Sequence, residues 1–123
     1  MRPRFNLWVE IDGDVALSAW RVGLLEAIQA SGSIRAAAGQ LHLPYRRAWE
    51  KVHEMEARLG RRLLETEVGG EGGGGAHLTE AAQEYVARFH LFESGLEQEI
   101  QERYRRAFGA GIPSGAAGPR RNS

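Results

Sequence analysis

Hydrophobic and polar residues alternate along the first part of the chain and then change to a helical spacing. Residues 5–12 (FNLWVEID) have a period of two, which is typical of a strand, and Gly13 ends that pattern. Ser18 is then predicted to cap a first helix that runs to about Ser31 and ends at Gly32. The residues expected on one face of this helix are Trp20, Leu24 and Ile28.

Two further helical patterns follow in close succession. Ser33 is predicted to cap a short second helix, whose apolar residues are spaced i, i+3, i+4 and i+7. Pro44 suits the first turn of a third helix, which ends at Gly60. The apolar stripe of the second helix is Ile34, Ala37, Ala38 and Leu41, and that of the third is Tyr45, Ala48, Trp49, Val52, Met55 and Leu59.

The opposite face of the third helix is polar and mainly basic. Its members, placed at about 100° per residue, are Arg46, Arg47, Glu50, His53 and Glu54, with Lys51 at the edge. On the apolar face, Tyr45 and Trp49 could stack on nucleic-acid bases. Their helical spacing with the other apolar residues favours a place in the core instead.

A glycine-rich segment separates two short β-prone stretches after the third helix. LLETEV (63–68) precedes it, His77 and Leu78 follow it, and six of the seven residues in 69–75 are glycine. Glycine is costly to order, but it permits positive φ angles and lets backbone N–H groups approach phosphate oxygens. The segment is therefore predicted to be the tip of a hairpin wing that contacts a nucleic-acid backbone. The alternative is a hairpin loop without a function.

Thr79 is predicted to cap one long final helix that extends to about Phe108. Its apolar stripe is longer than a domain of this size needs, so we expect part of it to contact a second copy of the chain. The residues assigned to this dimer interface are Phe89, Phe92, Leu96, Ile100 and Tyr104. Residues 109–123 are rich in Gly, Pro and Ser, and we expect a disordered tail there, after one domain of residues 1–108.

The order of these elements predicts a mainly α protein with a small β component: a winged helix-turn-helix with an N-terminal strand and a long C-terminal helix. The 123 residues have no formal net charge, but residues 33–62 carry +4 and residues 79–107 carry −2. The positive charge thus coincides with the second and third helices. There is no cysteine and no apolar run long enough to span a bilayer, and we expect a cytoplasmic protein.

Motifs for other kinds of chemistry are weak. Gly70, Gly72 and Gly75 match the spacing of a dinucleotide-binding GxGxxG, but no helix is predicted directly after them. His53 and Glu54 begin a zinc-protease pattern that fails at position 57, and the four histidines lack ligand spacing. The sequence therefore predicts no enzyme activity, no metal site and no cofactor.

Two stretches, LLEAIQASGSIRAAAGQLHLPYRRAWEKVHEME (24–56) and LLETEVGGEGGGGAHLT (63–79), resemble the N-terminal DNA-binding domain of the ModE family. ModE proteins are molybdate-responsive bacterial regulators related to LysR-type winged helices. The resemblance implies binding to double-stranded DNA and gene control related to molybdenum or another oxyanion. The homodimer expected from the final helix would present two recognition helices, and we therefore expect sequence-specific binding to a palindromic operator.

The sequence departs from the ModE pattern in two ways. Glu71 occupies the expected wing tip, where a basic residue is common in the family, so attraction between wing and phosphate is expected to be weaker. Full-length ModE proteins continue into a molybdate-binding module, whereas about fifteen residues follow the last predicted helix here. We therefore expect effector binding to lie outside this chain.

The predicted contacts to DNA centre on the third helix. Arg46, Arg47 and Glu50 are assigned to base edges, because arginine suits guanine and glutamate accepts from cytosine. The residues assigned to phosphate are Ser31, Ser33 and Lys51, and the other predicted DNA contacts are Arg35, Tyr45, Gly70, Gly72, Gly73 and Gly74. The alternative function is a winged-helix module that binds protein and not DNA.

Overall fold

The computed structural model describes residues 1–67 and 74–109. Within them the predicted fold class is confirmed: helices dominate, and two small antiparallel hairpins accompany a helix-turn-helix. In chain order the elements are β1 (Trp8–Ile11), β2 (Asp14–Ser18), α1 (Ala19–Ser31), α2 (Ile34–Gln40), α3 (Tyr45–Leu59), β3 (Leu64–Thr66), β4 (Ala76–Leu78), α4 (Glu80–Ser94) and α5 (Leu96–Phe108).

The N-terminal strand is one arm of a hairpin. β1 pairs antiparallel with β2, with Trp8 opposite Ser18. Asp12 and Gly13 connect them with φ angles of 53° and 86°, and two positive φ angles in succession characterise the turn that suits a two-residue hairpin. The prediction of a single strand over 5–12 was therefore incomplete. The Asp-Gly pair is the sequence signal that indicates the missing strand.

The ends of the first three helices follow the sequence prediction closely. Ser18 accepts a hydrogen bond from the Arg21 N–H at 3.2 Å, and Ser33 accepts one from the Ala36 N–H at 3.0 Å. Each serine thereby satisfies an amide that the first helical turn would leave without a partner. Gly32 ends α1 in the left-handed conformation, so α1 and α2 are separated by only two residues.

The main core lies among α1, α2, α3 and the wing. Its buried residues are Leu24, Leu25, Ile28, Ile34, Ala37, Ala38, Ala48, Val52, Met55, Leu63, Leu64, Ala76, Leu78 and Ala82. Trp20, Tyr45 and Trp49 were predicted to share the apolar faces, but they are 44%, 41% and 41% exposed. That prediction was wrong because the buried arc of each helix is narrower than the apolar stripe in the sequence.

The wing is an antiparallel hairpin of β3 and β4, as predicted, and it is fastened to α1. The Ala76 N–H donates to the Gly32 carbonyl at 2.8 Å. The Leu78 N–H donates to the side-chain oxygen of Gln29, also at 2.8 Å. The end of α1 and the turn after it therefore fix the position of β4. The hairpin tip, residues 68–73, lies outside the described residues.

The C-terminal helical region corrects two predictions. It is not one continuous helix, because Gly95 separates α4 from α5, and a glycine inside a helix costs about 1 kcal/mol relative to alanine. Phe89 is only 2% exposed and packs with Leu17 and Val22, so it belongs to the core and not to a dimer interface. By contrast, no residue of α5 is buried.

Candidate nucleic-acid interface

The face of α3 that points away from the core carries three charged side chains. Arg46, Arg47 and Glu50 are all exposed. Within residues 1–67 and 74–109, none of the three forms a side-chain hydrogen bond or an ion pair. Their charged groups are therefore available to an outside partner, and the two guanidinium groups can each donate in a bidentate manner.

One edge of this face is held by ion pairs around Glu54. Its carboxylate lies 3.3 Å from Arg21, 3.6 Å from Lys51 and 3.7 Å from Arg58. Partial burial would raise the pKa of Glu54, but Lys51, Arg21 and Arg58 together lower it. Arg58 also donates to the Val15 carbonyl at 2.6 Å. Glu54 therefore joins α3 to α1, and Arg58 joins α3 to β2. Lys51 is partly exposed and has a carboxylate beside it.

The other edge of α3 is aromatic and faces the wing. The Trp49 indole stacks on the His53 ring, with 3.8 Å between the centroids and an interplanar angle of 23°. His53 Nδ1 lies 2.8 Å from the Trp49 carbonyl oxygen. The Arg35 guanidinium lies over the Tyr45 ring, 4.6 Å from its centroid. Two stacked pairs, one within α3 and one between α2 and α3, thus lie along this edge.

This edge forms one wall of a groove of about 720 Å³ between the helix-turn-helix and the wing. The wing side of the groove is lined by Arg62, Leu64, Thr66, Glu67, Gly74, Gly75 and Ala76. Glu56 of α3 fixes the spacing of the two sides, because its carboxylate accepts from the N–H groups of Leu63 and Leu64 at 2.8 and 3.4 Å.

The described part of the wing is not basic. Glu65 on β3 and Glu67 just after it are exposed, and Glu65 pairs with His77 on β4 at 2.9 Å. The sequence predicted weak attraction between the wing and phosphate because of Glu71. The carboxylates of Glu65 and Glu67 act in the same direction. Glu71 itself lies outside the described residues.

The structure places most of the predicted DNA-contact residues around α3 and the groove. Ser33, Arg35, Tyr45 and Gly74 line the groove. The Ser31 hydroxyl donates to the Ser33 carbonyl at 3.1 Å and thus also stabilises the turn between α1 and α2. The predicted wing contacts Gly70, Gly72 and Gly73 lie in the segment that the structure does not describe.

Trp49 and His53 were not assigned to the site from the sequence. Helical periodicity favoured a place in the core for Trp49 and Tyr45. The fold shows instead that both residues line the groove.

The part of the chain that the structure describes contains no group of three acidic, histidine or cysteine side chains arranged for a metal ion. It also contains no helix that is long and apolar enough to cross a membrane.

Residues 21–83, just over half of the chain, match the family described as "Bacterial regulatory helix-turn-helix protein, lysR family". The Molybdenum-pterin-binding protein MopB of Rhodobacter capsulatus is 40% identical over 80 residues, which are 65% of this chain and 30% of MopB. The Molybdenum transport protein ModE of Azotobacter vinelandii is 38% identical over 92 residues, 73% of this chain and 34% of that protein. The chain thus spans about a third of the length of these relatives.

The fold has a counterpart among solved structures. The crystal structure of the CbnR_DBD–DNA complex superposes with a TM-score of 0.53 and 27% identity, over 74% of this chain and 98% of that one. The resemblance to ModE and LysR-type proteins in residues 24–56 and 63–79 is confirmed by these matches. The chain belongs to the lysR family of bacterial regulatory helix-turn-helix proteins.

Proposed function

We propose that this chain is a sequence-specific regulator of transcription that binds duplex DNA. α2 supports α3, α3 enters the major groove, and the wing lies along an adjacent groove. The observation that carries the proposal is the exposed face of α3, where Arg46, Arg47 and Glu50 have no partner among the described residues. The relationship to regulatory helix-turn-helix proteins supports it.

The charged groups of α3 divide into base contacts and phosphate contacts. Arg46 and Arg47 donate to guanine, and Glu50 accepts from cytosine. Positive and hydroxyl groups around these residues bind phosphates. Such contacts fix the register of the protein on the duplex without reading its sequence. The proposed phosphate contacts are Ser31, Ser33, Arg35 and Lys51, and Tyr45 and Gly74 lie in the adjoining groove. The glycines at positions 70, 72 and 73 are proposed from the sequence alone.

The proposed context is gene control related to molybdenum or another oxyanion in the bacterial cytoplasm. The names of MopB and ModE support this assignment. Because the chain spans about a third of either relative, no residue of it is assigned to an effector. Catalysis is not part of the proposal, since the family consists of regulatory proteins.

We also propose that the chain acts as a homodimer through α4 and α5. Leu91 and Phe92 near the end of α4 are 76% and 53% exposed, and Phe108 at the end of α5 is 47% exposed. The proposed interface residues are Phe92, Leu96, Ile100 and Tyr104, without Phe89. A two-fold axis there would present two copies of α3 to the DNA, which suits a palindromic operator.

The experiment that tests the proposal selects bound duplexes from a random-sequence DNA pool and then titrates a recovered duplex with salt. We expect the recovered sites to share a palindrome. The binding constant should fall linearly with salt on logarithmic axes, by a slope of about 0.9 for each phosphate contacted. No enrichment, or binding that does not respond to salt, would contradict the proposal.

The second candidate function is a winged-helix module that binds another protein. The observation that favours it is the pair of exposed carboxylates on the wing, Glu65 and Glu67, which repel a DNA backbone. In the selection experiment this candidate predicts no enriched sequence, so the same measurement separates the two functions.

A further inference from the structure

Trp49 is an aromatic residue that the core does not use. Its side chain is 41% exposed, and its indole N–H has no hydrogen-bond partner in residues 1–67 and 74–109. The ring is nevertheless held in place, because it stacks on His53 and His53 is itself hydrogen-bonded to the Trp49 carbonyl. An exposed but ordered indole is suited to contact with a partner, since little side-chain freedom is lost when the partner binds.

Aromatic rings and two arginines line the groove beside Trp49, together with two carboxylates. One wall carries the aromatic rings, and arginines line both sides: Arg35 on α2 and, at the start of the wing, Arg62, whose guanidinium also donates to the Leu64 carbonyl at 3.2 Å. Of the two carboxylates, that of Glu56 is occupied by two backbone N–H groups, whereas Glu67 is exposed on the wing side, so the positive charge for a phosphate lies nearer the aromatic wall, at Arg35. A sugar–phosphate strand offers apolar sugar carbons to the rings and negative charge to the arginines.

We infer that Trp49 is a DNA-contact residue, which packs its indole against the deoxyribose of the strand that lies between α3 and the wing. The inference rests on the proposed function of α3 and adds to it. Arg46 and Glu50, farther round the helix, read the bases, whereas Trp49 holds the strand and sets how deeply α3 enters the major groove. Tyr45, under the Arg35 guanidinium, extends the same apolar wall.

The three tryptophans of the chain allow a direct test by fluorescence. The variant Trp8→Phe/Trp20→Phe leaves Trp49 as the sole emitter, and Trp8→Phe/Trp49→Phe leaves Trp20, which is similarly exposed and does not line the groove. Acrylamide quenching is measured with and without a saturating duplex recovered from the selection, and binding is followed separately by the anisotropy of labelled duplex.

We expect DNA to protect Trp49 from acrylamide and to leave Trp20 as accessible as before. If the duplex binds and Trp49 stays equally accessible, the inference is overturned while the proposed function stands. If the anisotropy shows no binding to any recovered duplex, the proposed function fails first, and the inference fails with it.

Affinity provides the second readout. Trp49→Ala should weaken binding roughly tenfold, the effect of losing ~60 Å² of buried apolar surface at about 25 cal/mol/Å². Trp49→Phe should retain most of the affinity, because a phenyl ring still covers the sugar. Trp20→Ala is the matched control and should bind like the wild type. Circular dichroism checks that the Ala variants are folded, and a folded Trp49→Ala variant with unchanged affinity would refute the inference.

Discussion

Replacing Glu56 by alanine should loosen the wing from the recognition helix. The Glu56 carboxylate accepts from the Leu63 N–H at 2.8 Å and more weakly from the Leu64 N–H at 3.4 Å. Both leucines are buried, at 0% and 3% exposure, so their amides have limited access to water. The contact of Glu56 with the exposed His53 ring is long, at 3.9 Å, and adds little.

The magnitude follows from the shorter of the two hydrogen bonds. A bond to a charged acceptor contributes about 1.5–3 kcal/mol, and an unsatisfied buried N–H costs about 1–3 kcal/mol. Because Glu56 keeps 19% of its side chain exposed, water can reach part of the vacated site. We therefore expect Glu56→Ala to lower the free energy of unfolding by about 2 kcal/mol. Glu56→Gln, which keeps an oxygen acceptor, should lose about half as much.

Urea unfolding followed by circular dichroism measures this difference. With a dependence of about 2 kcal/mol per molar urea, typical of a small domain, the midpoint of Glu56→Ala should fall by about 1 M. The same variant should bind the selected duplex less tightly, because β3 is no longer fixed to α3. A stability within about 0.5 kcal/mol of the wild type, the range of ordinary surface substitutions, would mean that the Glu56 carboxylate does not hold the wing to α3.

Three further predictions address the wing, the dimer and pH. Glu67→Lys should tighten binding to all duplexes and should steepen the dependence of the binding constant on salt, on logarithmic axes, by about one unit. A glutamate-to-lysine change on α5 is the control and should have neither effect. Leu96→Glu with Ile100→Glu should sediment as a monomer at tens of micromolar, and a double mutant that still dimerises would exclude this interface. The hydrogen bond from His90 to Glu26, 2.8 Å long, raises the pKa of His90 even though desolvation opposes it. The stabilisation that His90 gives is therefore complete below about pH 6.5 and lost as pH rises through the raised pKa. In urea unfolding, the free energy of unfolding of the wild type should exceed that of His90→Gln by at most about 1 kcal/mol at pH 5.5 and should equal it at pH 9. An equal difference at both pH values would contradict this.

The elements with strong local signals were predictable from the sequence. Ser18 and Ser33 cap helices, Gly32 and Gly60 end them, and the apolar spacing of α2 matches its buried face. These features depend on residues close together in sequence, so local rules suffice. The sequence also located the wing, because the two β-prone stretches flank a run of glycines.

Features that depend on tertiary packing were not predictable in the same way. Periodicity shows which residues are apolar, but the width of the buried arc depends on what packs against it, and so Trp20, Tyr45 and Trp49 were misplaced. The break at Gly95 is of the same kind, since an isolated glycine is compatible with a helix or with its end. Phe89 was assigned to a partner because the sequence does not show that β2 and α1 supply Leu17 and Val22 to cover it.

The most direct test of the account compares the Arg46→Ala/Arg47→Ala variant with the wild type on the selected duplex and on a random duplex of equal length. If these arginines read bases, the variant should lose about 1–3 kcal/mol of discrimination per contact, so that the ratio of specific to random affinity collapses while the fold is retained. Equal losses on the two duplexes would mean that α3 contacts only phosphate, and the claim of sequence-specific recognition by this helix would be wrong.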